Sequence, residues 1–227
     1  MTVERDLAAS VVELATAALG DAEVEAAADR HRLALTRFAN SVIHQNMAED
    51  ATTVRVRIHH DGRTASGSAT VIDEGGVRAL VERAVESVKV APRDPGWPGL
   101  ASPAVDSVAP AVGRASIEAT PAERAMVVRA FVDGAGGLET AGYCRSNHWA
   151  GAYANSLGQT LTGGAFECGL SGIARRNGAD GLARHAPLAL AGLDGAALGA
   201  RAAAKARAWV EPIELPPGHY EVVLEPT

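Results

Sequence analysis

Cysteine, aromatic residues and long apolar runs are all scarce in this sequence of 227 residues. Its two cysteines, Cys144 and Cys168, are too few for a scaffold held together by disulfides. The apolar runs are rich in alanine and are interrupted by charge or glycine, so none reaches the roughly 20 residues that a membrane-spanning helix needs. The N-terminus is charged at Glu4, Arg5 and Asp6 and does not resemble a signal segment. We therefore expect a soluble, cytoplasmic protein that does not bind a membrane.

Positive charge is also in deficit. Lysine and arginine number 21 and aspartate and glutamate 27, which gives a net charge of -6 and disfavours binding to phosphate backbones. Hydrophobic residues at 47% and charged residues at 21% are typical of a folded globular chain. We expect no direct nucleic-acid partner.

The common catalytic motifs are missing from the sequence. Neither the G-x-G-x-x-G nor the P-loop pattern occurs, and no serine stands in a G-x-S-x-G turn. None of the seven histidines is followed by a glutamate and then a second histidine at the spacing of a zinc peptidase. No catalytic residue, metal ligand or substrate-binding residue is therefore assigned to a numbered position. Arg55 and Arg57 could receive a carboxylate, although the solvated face of a strand explains them equally well.

Cys144, His148 and Cys168 are the one group of possible metal ligands that falls in neighbouring predicted strands. Their spacing matches no zinc ribbon or finger. Cys144 and His148 lie four residues apart, about 13 Å along a strand, which is too far for a nucleophile and its base. We expect two small buried thiols and a partly exposed histidine.

Apolar residues that repeat every three or four positions predict four helices. Gly20 is expected to end the first helix in a left-handed conformation. Thr120 and Glu123 form a capping box at the start of the third, with Pro121 at its first position. The helices are expected over residues 7–18, over 77–88, from 121 onwards, and from Asp194 onwards.

Alternating apolar and polar residues predict strands that are joined by short turns. Asn40-Ser41 and Asp61-Gly62 are the expected hairpin turns. The strands are expected at residues 33–35, 42–46, 54–58, 63–71, 143–153, 159–176 and 219–225. Prolines between Ala91 and Val112 mark a surface connection or domain boundary. The predicted fold class is α/β, of the α+β type, with helices packed on a mainly antiparallel sheet.

The order of these elements resembles that of the TldD/PmbA family, the modulators of DNA gyrase. The N-terminal part of the family's proteins is matched by the Asn40-Ser41 hairpin, the V-R-V strand of residues 53–58, the Asp61-Gly62 turn and the helix of residues 77–90. Its middle region is matched by segments 153–158, 177–181, 203–209 and 214–226. The proline-rich stretch 92–100 and the last of these segments lean toward the PmbA (TldE) branch. The resemblance implies an N-terminal α/β domain over residues 1–112. It assigns 113–227 to a middle region that leads into a C-terminal domain outside this chain.

The resemblance also implies a part in a cytoplasmic zinc metallopeptidase that acts on unfolded or extended peptides. The metal motif of the family, H-E-x-x-x-H with a later cysteine, does not occur in this sequence, so whether the chain itself is an enzyme is left open. No cofactor is assigned to this chain, and zinc is expected in the complete enzyme or its partner subunit. The expected partners are a second copy of the chain or a TldD-type subunit, together with a peptide substrate.

Two other functions remain open from the sequence. One is a non-enzymatic module that binds a peptide or partner by adding a strand to an exposed sheet edge. The other is a zinc enzyme built on Cys144, His148 and Cys168, which would require metal in this chain. The second is the weaker, because the spacing of the three residues matches no zinc site.

Overall fold

The fold of the chain is an antiparallel sheet with helices packed against it. The computed structural model describes residues 2–104, 119–209, 211 and 213–224. In chain order these residues form α1 (Val3–Ala18), β1 (Glu23–Ala39), β2 (Val42–His60), β3 (Arg63–Ala69), α2 (Glu74–Val90), α3 (Pro121–Gly134), β4 (Glu139–Asn155), β5 (Thr160–Arg176), β6 (Ala179–His185) and α4 (Gly195–Ala208). The six strands lie in the order β3-β2-β1-β4-β5-β6. The predicted α+β class is confirmed, and no helix in these ranges is long and apolar enough to cross a membrane.

The hairpin turns follow the local chemistry of their residues. Asn40 and Ser41 have φ angles of 50° and 61°, and Asp61 and Gly62 have 47° and 68°. Positive φ at both central residues is the type I′ geometry that suits the twist of two antiparallel strands. The capping box at Thr120 is present, with the Glu123 N–H donating to Thr120 Oγ1 at 3.2 Å. These short-range predictions are confirmed.

The described contacts divide the chain into two compact units. The first unit comprises Met1–Arg32, Glu49–Val112 and His148–Ala165, and the second comprises Leu33–Ala48, Gly113–Asn147 and Phe166–Thr227. Strands β1, β2, β4 and β5 are each divided between the two units, with one part in each. These units are defined by contacts, whereas the family domains expected at 1–112 and 113–227 are continuous segments of the chain. The boundary between those domains stays a prediction.

The core of the first unit lies between α1, α2 and one face of its strands. Val54, Val56 and Ile58 of β2 are buried, whereas Arg55 and Arg57 between them are exposed. From the helices, the core takes Ala8, Val11, Ala15, Val77, Leu80, Val81, Ala84 and Val88. Small and β-branched residues fill it, as the low aromatic content of the sequence requires.

The second unit is built around Phe131, which is fully buried on α3. Its ring lies 5.6 Å from that of Phe38, tilted by 59°, and this geometry is favourable for aromatic pairs. Helix α4 packs on α3 through glycine. A Cβ on Gly199 would overlap the carbonyl oxygen of Phe131 and stand 2.9 Å from its carbonyl carbon. The two helix backbones can approach this closely only because Gly199 has no side chain.

Three predictions about the elements are wrong. Gly20 does not have a positive φ, and α1 ends instead with the Leu19 N–H donating to the Ala15 carbonyl. The segments 42–46 and 54–58 belong to one strand, Val42–His60. Residues 219–224 form no strand, because none of the described strands lies beside them to take their backbone hydrogen bonds. Glu225 lies outside the described residues, as does the part of the proline-rich connection between 105 and 112.

Candidate functional site

The side chains that point away from the core of the first unit form a polar and aromatic sheet surface. Strand alternation places them there, since every second residue of a strand points to the same face. We call this surface the outer face. Its main residues are Glu25, Ala27, Asp29 and His31 of β1, Arg55 and Arg57 of β2, Trp149, Gly151 and Tyr153 of β4, and Leu161, Gly163 and Ala165 of β5.

Charges on the outer face are paired across strands. Arg55 forms an ion pair with Asp29, and Arg57 forms one with Glu25. The Tyr153 hydroxyl donates to Glu25 Oε2 at 2.9 Å, and burial raises the pKa of Tyr153 above its ordinary value. The Arg55 and Asp29 side chains are 58% and 45% exposed, so their pair contributes little to stability. Both groups therefore remain accessible to a ligand.

A broad open trough of about 710 Å³ lies on the outer face. Gly151 of β4 and Gly163 of β5 form its floor, with Trp149 on one side and Tyr153 and Leu161 on the other. The Trp149 ring stacks on His31, with centroids 5.3 Å apart and planes 12° from parallel. The Asp29 carboxylate leans over the floor, since its Oδ1 lies 2.8 Å from the position that a Cβ on Gly151 would take. The trough thus combines a bare floor, aromatic walls and one carboxylate, and the Arg55 guanidinium paired with that carboxylate also lines it.

Residues 93–104, here called the strap, run along the outer face in irregular conformation. The Trp97 ring stacks on His59 at 4.9 Å and lies 5.0 Å from the Arg57 guanidinium carbon, while its indole N–H donates to Glu23. Further along, the Asn155 amide donates to the Ala101 carbonyl at 3.1 Å. For residues 91–104 the prediction of an irregular surface connection is confirmed.

A second charged group of the first unit surrounds Arg30. The Arg30 guanidinium donates two hydrogen bonds to Asp50, at 2.7 and 2.6 Å, and they hold the pKa of Asp50 below its ordinary value. Burial, followed by the nearby Arg32 and Arg30, lowers the pKa of His148. This arrangement favours the neutral imidazole at His148, in a setting of paired charges.

The three possible zinc ligands seen in the sequence are not assembled into a site. His148 belongs to the first unit, whereas Cys144 and Cys168 belong to the second. Across the described ranges, no group of three or more histidine, cysteine, aspartate or glutamate residues has the geometry to hold a metal ion. The residues described here therefore do not fit the zinc that the family resemblance implies.

Cys144 and Cys168 are both buried and unbonded, as the sequence led us to expect. Burial raises the pKa of the Cys144 thiol from 9.0 to about 12, and burial also raises that of Cys168. A raised thiol pKa means that the protonated, unreactive form persists to higher pH. At pH 8 the thiolate fraction of Cys144 falls about a thousandfold relative to a free cysteine.

We therefore expect neither thiol to react with iodoacetamide at pH 8 in the folded chain. Both should react within minutes once guanidinium chloride unfolds the protein, and intact-mass spectrometry counts the adducts. Rapid labelling of Cys144 in the native chain would contradict the assignment of both thiols to the core.

Comparison with known proteins finds one family model that matches part of the chain. Residues 24–88 match the family model described as PmbA/TldA metallopeptidase domain 1. These residues run from β1 to α2 and include Asp29 and Arg55 of the trough. A search of curated proteins found no match to the chain.

Solved structures of similar fold carry related descriptions. The chain superposes on TldE from Thermococcus kodakarensis with a TM-score of 0.75 and 18% identity, covering 88% of this chain and 47% of that one. It superposes on a candidate modulator of a DNA gyrase from Thermotoga maritima with a TM-score of 0.73 and 16% identity, covering 92% and 50%. A similar candidate from Bacteroides thetaiotaomicron gives a TM-score of 0.67 at 16% identity, covering 88% and 49%.

These matches confirm the resemblance to the TldD/PmbA family that the order of elements indicates. Residues 24–88 match the first domain of that family, and the chain has a fold similar to that of TldE over most of its length. It spans about half the length of the solved proteins that it matches.

Most of the trough was not identified from the sequence. Arg55 and Arg57 were recognised as possible carboxylate ligands, but the structure pairs them with Asp29 and Glu25. Trp149, Gly151 and Tyr153 stand two residues apart, a spacing that places all three on one face of a strand. That local signal was present. Their meeting with Asp29 depends on the pairing of β1 with β4, which no local pattern encodes.

Proposed function

We propose that this chain is a non-catalytic part of a TldD/PmbA-type metallopeptidase that acts on unfolded or extended peptides in the cytoplasm. Zinc and the catalytic groups would come from sequence outside this chain or from a TldD-type partner subunit. The single observation that carries the proposal is the match of residues 24–88 to the first metallopeptidase domain. It is supported by the lack of a metal-binding group among the described residues.

The role of this chain in such an assembly is structural. The outer face of the first unit is wide, open and lined by paired charges and small residues, with exposed Trp149 and Leu161 among them. Surfaces of this kind suit one wall of a compartment through which an extended chain passes, because they offer contacts without a deep closed pocket. The likeness to a TldE favours the PmbA (TldE) branch and a TldD-type partner.

This proposal requires the full-length protein to assemble. Mass photometry of the full-length gene product, alone and after co-expression with a TldD-type subunit, is expected to give a dimer in at least one of the two samples. The unmixed subunits, measured at the same concentration, are the control. A strictly monomeric mass in both samples would sink the proposal.

A second function, peptide binding by strand addition, is favoured by the contrast between the two sheet edges. Edge strand β6 is protected, since the Lys205 ammonium donates to the Leu182 carbonyl at 2.8 Å. Edge strand β3 carries no lysine, arginine or proline between Thr64 and Ala69. An edge without such groups offers backbone donors and acceptors to another strand. Peptide binding by the metal-free chain that disappears on substitution of Gly67 by proline would support this alternative.

A further inference from the structure

We propose that the trough of the outer face is a recognition site for a cationic group, a guanidinium or an ammonium, on an extended peptide. The peptide part of this inference rests on the proposed function, whereas the preference for a cation rests on the trough itself. The residues that would carry it are Asp29, Trp149, Tyr153, Gly151 and Gly163.

The Asp29 carboxylate has one oxygen in use and one available. Its Oδ2 accepts from Arg55, and its Oδ1 accepts no hydrogen bond within the described ranges. The available Oδ1 is the oxygen that leans over Gly151 and faces the trough. A carboxylate can accept several hydrogen bonds at once, so a ligand cation can bind Oδ1 while Arg55 remains on Oδ2.

The aromatic walls favour the same sign of charge. Trp149 is 40% exposed, and Tyr153 stands four residues along the same strand face, about 13 Å away. The faces of tryptophan and tyrosine rings are electron-rich and attract lysine and arginine side chains. A cation between them would contact a ring while its N–H groups reach Asp29.

The glycines on the floor make room for such a side chain. Neither residue projects a side chain into the trough, and a Cβ on Gly163 would meet no atom within 4 Å. The trough has an open volume of about 710 Å³ and can therefore accommodate an extended ligand. An anionic ligand fits less well, because the Asp29 Oδ1 faces the trough and would repel it, and the protein carries a net charge of -6.

The test uses blocked pentapeptides and the 227-residue chain without metal. Titration calorimetry would compare acetylated, amidated Gly-Gly-Arg-Gly-Gly with its lysine and glutamate counterparts and with unblocked pentaglycine. We expect the arginine or lysine peptide to bind at least tenfold more tightly than the glutamate peptide. The unblocked peptide separates binding of a side-chain cation from binding of a terminal ammonium. Equal affinity for all the peptides, or no binding of any, would overturn the proposal.

Two variants locate the binding in the trough. Asp29→Asn keeps the shape but removes the charge, and Gly163→Leu fills the floor with a side chain. Each variant is expected to bind the arginine or lysine peptide at least tenfold more weakly than the parent protein does. Gly20→Leu is the matched control, because a Cβ there also meets no atom within 4 Å but lies outside the trough. Circular dichroism verifies that each variant is folded, and unchanged binding in a folded Asp29→Asn protein would contradict the assignment.

This outcome is separable from that of the proposed function. Cation binding is measured on the isolated chain, whereas assembly and peptidase activity are measured on the full-length protein and its partner. If the chain binds no cation, the proposed function is still tested by the measurements of assembly and peptidase activity.

Discussion

Replacing Gly199 with alanine is expected to destabilise the protein by at least about 2 kcal/mol, although alanine is the better helix former. The reason is the close packing of α4 on α3 in the second unit. An added Cβ would overlap the Phe131 carbonyl oxygen, which is rigid backbone rather than the movable end of a side chain. Either the two helices separate or the core around Phe131 opens. The midpoint of urea unfolding, followed by circular dichroism, measures the effect.

The sign of the change makes this experiment decisive. In an ordinary exposed helix position, glycine to alanine stabilises by about 1 kcal/mol. Gly75, in the first turn of α2, provides the matched control because a Cβ there lies 3.5 Å from the nearest atom, an ordinary contact. Gly75→Ala is expected to leave the midpoint unchanged or raise it slightly. A Gly199→Ala protein as stable as the parent would show that α3 and α4 do not pack as described.

The features of this fold that the sequence predicts correctly are those set by interactions between residues close together in the chain. Asp61-Gly62 was identified as a hairpin turn because these residues tolerate positive φ, and Asn40-Ser41 because it interrupts two alternating segments. The Thr120 capping box likewise involves only residues three apart. Features of this kind are encoded locally, and the structure confirms them.

Features that depend on distant partners were less predictable. Separate strands were predicted at residues 42–46 and 54–58, yet β2 runs without a break from Val42 to His60. A strand can run through polar residues when a neighbouring strand takes its backbone hydrogen bonds, as β1 and β3 do beside β2. The alternation of residues 219–225 is equally strand-like, but no described strand pairs with 219–224. The polar residues beside two strands became part of a strand, whereas the alternating residues without a described partner did not.

The candidate site was the least predictable part. Asp29, Gly151 and Gly163 lie on three strands that are brought side by side only by the sheet order. Strand alternation could place each of them on one face, but it could not show that Asp29 leans over Gly151. The burial of Cys144 and Cys168 was easier to predict, because free cysteine is among the residue types most often buried.

The second large effect concerns the metal. The proposed function assigns the zinc and the catalytic groups to sequence outside this chain, so it predicts that the purified chain holds no stoichiometric zinc and cleaves no peptide. Zinc and activity should appear together when the full-length protein is co-expressed with a subunit that carries H-E-x-x-x-H. Substitution of the first histidine of that motif in the partner is the control, and it should abolish both.

The most direct test of the central claim is therefore metal content by plasma mass spectrometry, with cleavage of an unfolded peptide measured on the same samples. The account predicts zinc and cleavage only in the co-expressed complex, and neither in this chain alone. Stoichiometric zinc in the lone chain that is lost in a Cys144→Ser or His148→Gln variant would contradict it. That result would show that this chain binds the metal itself.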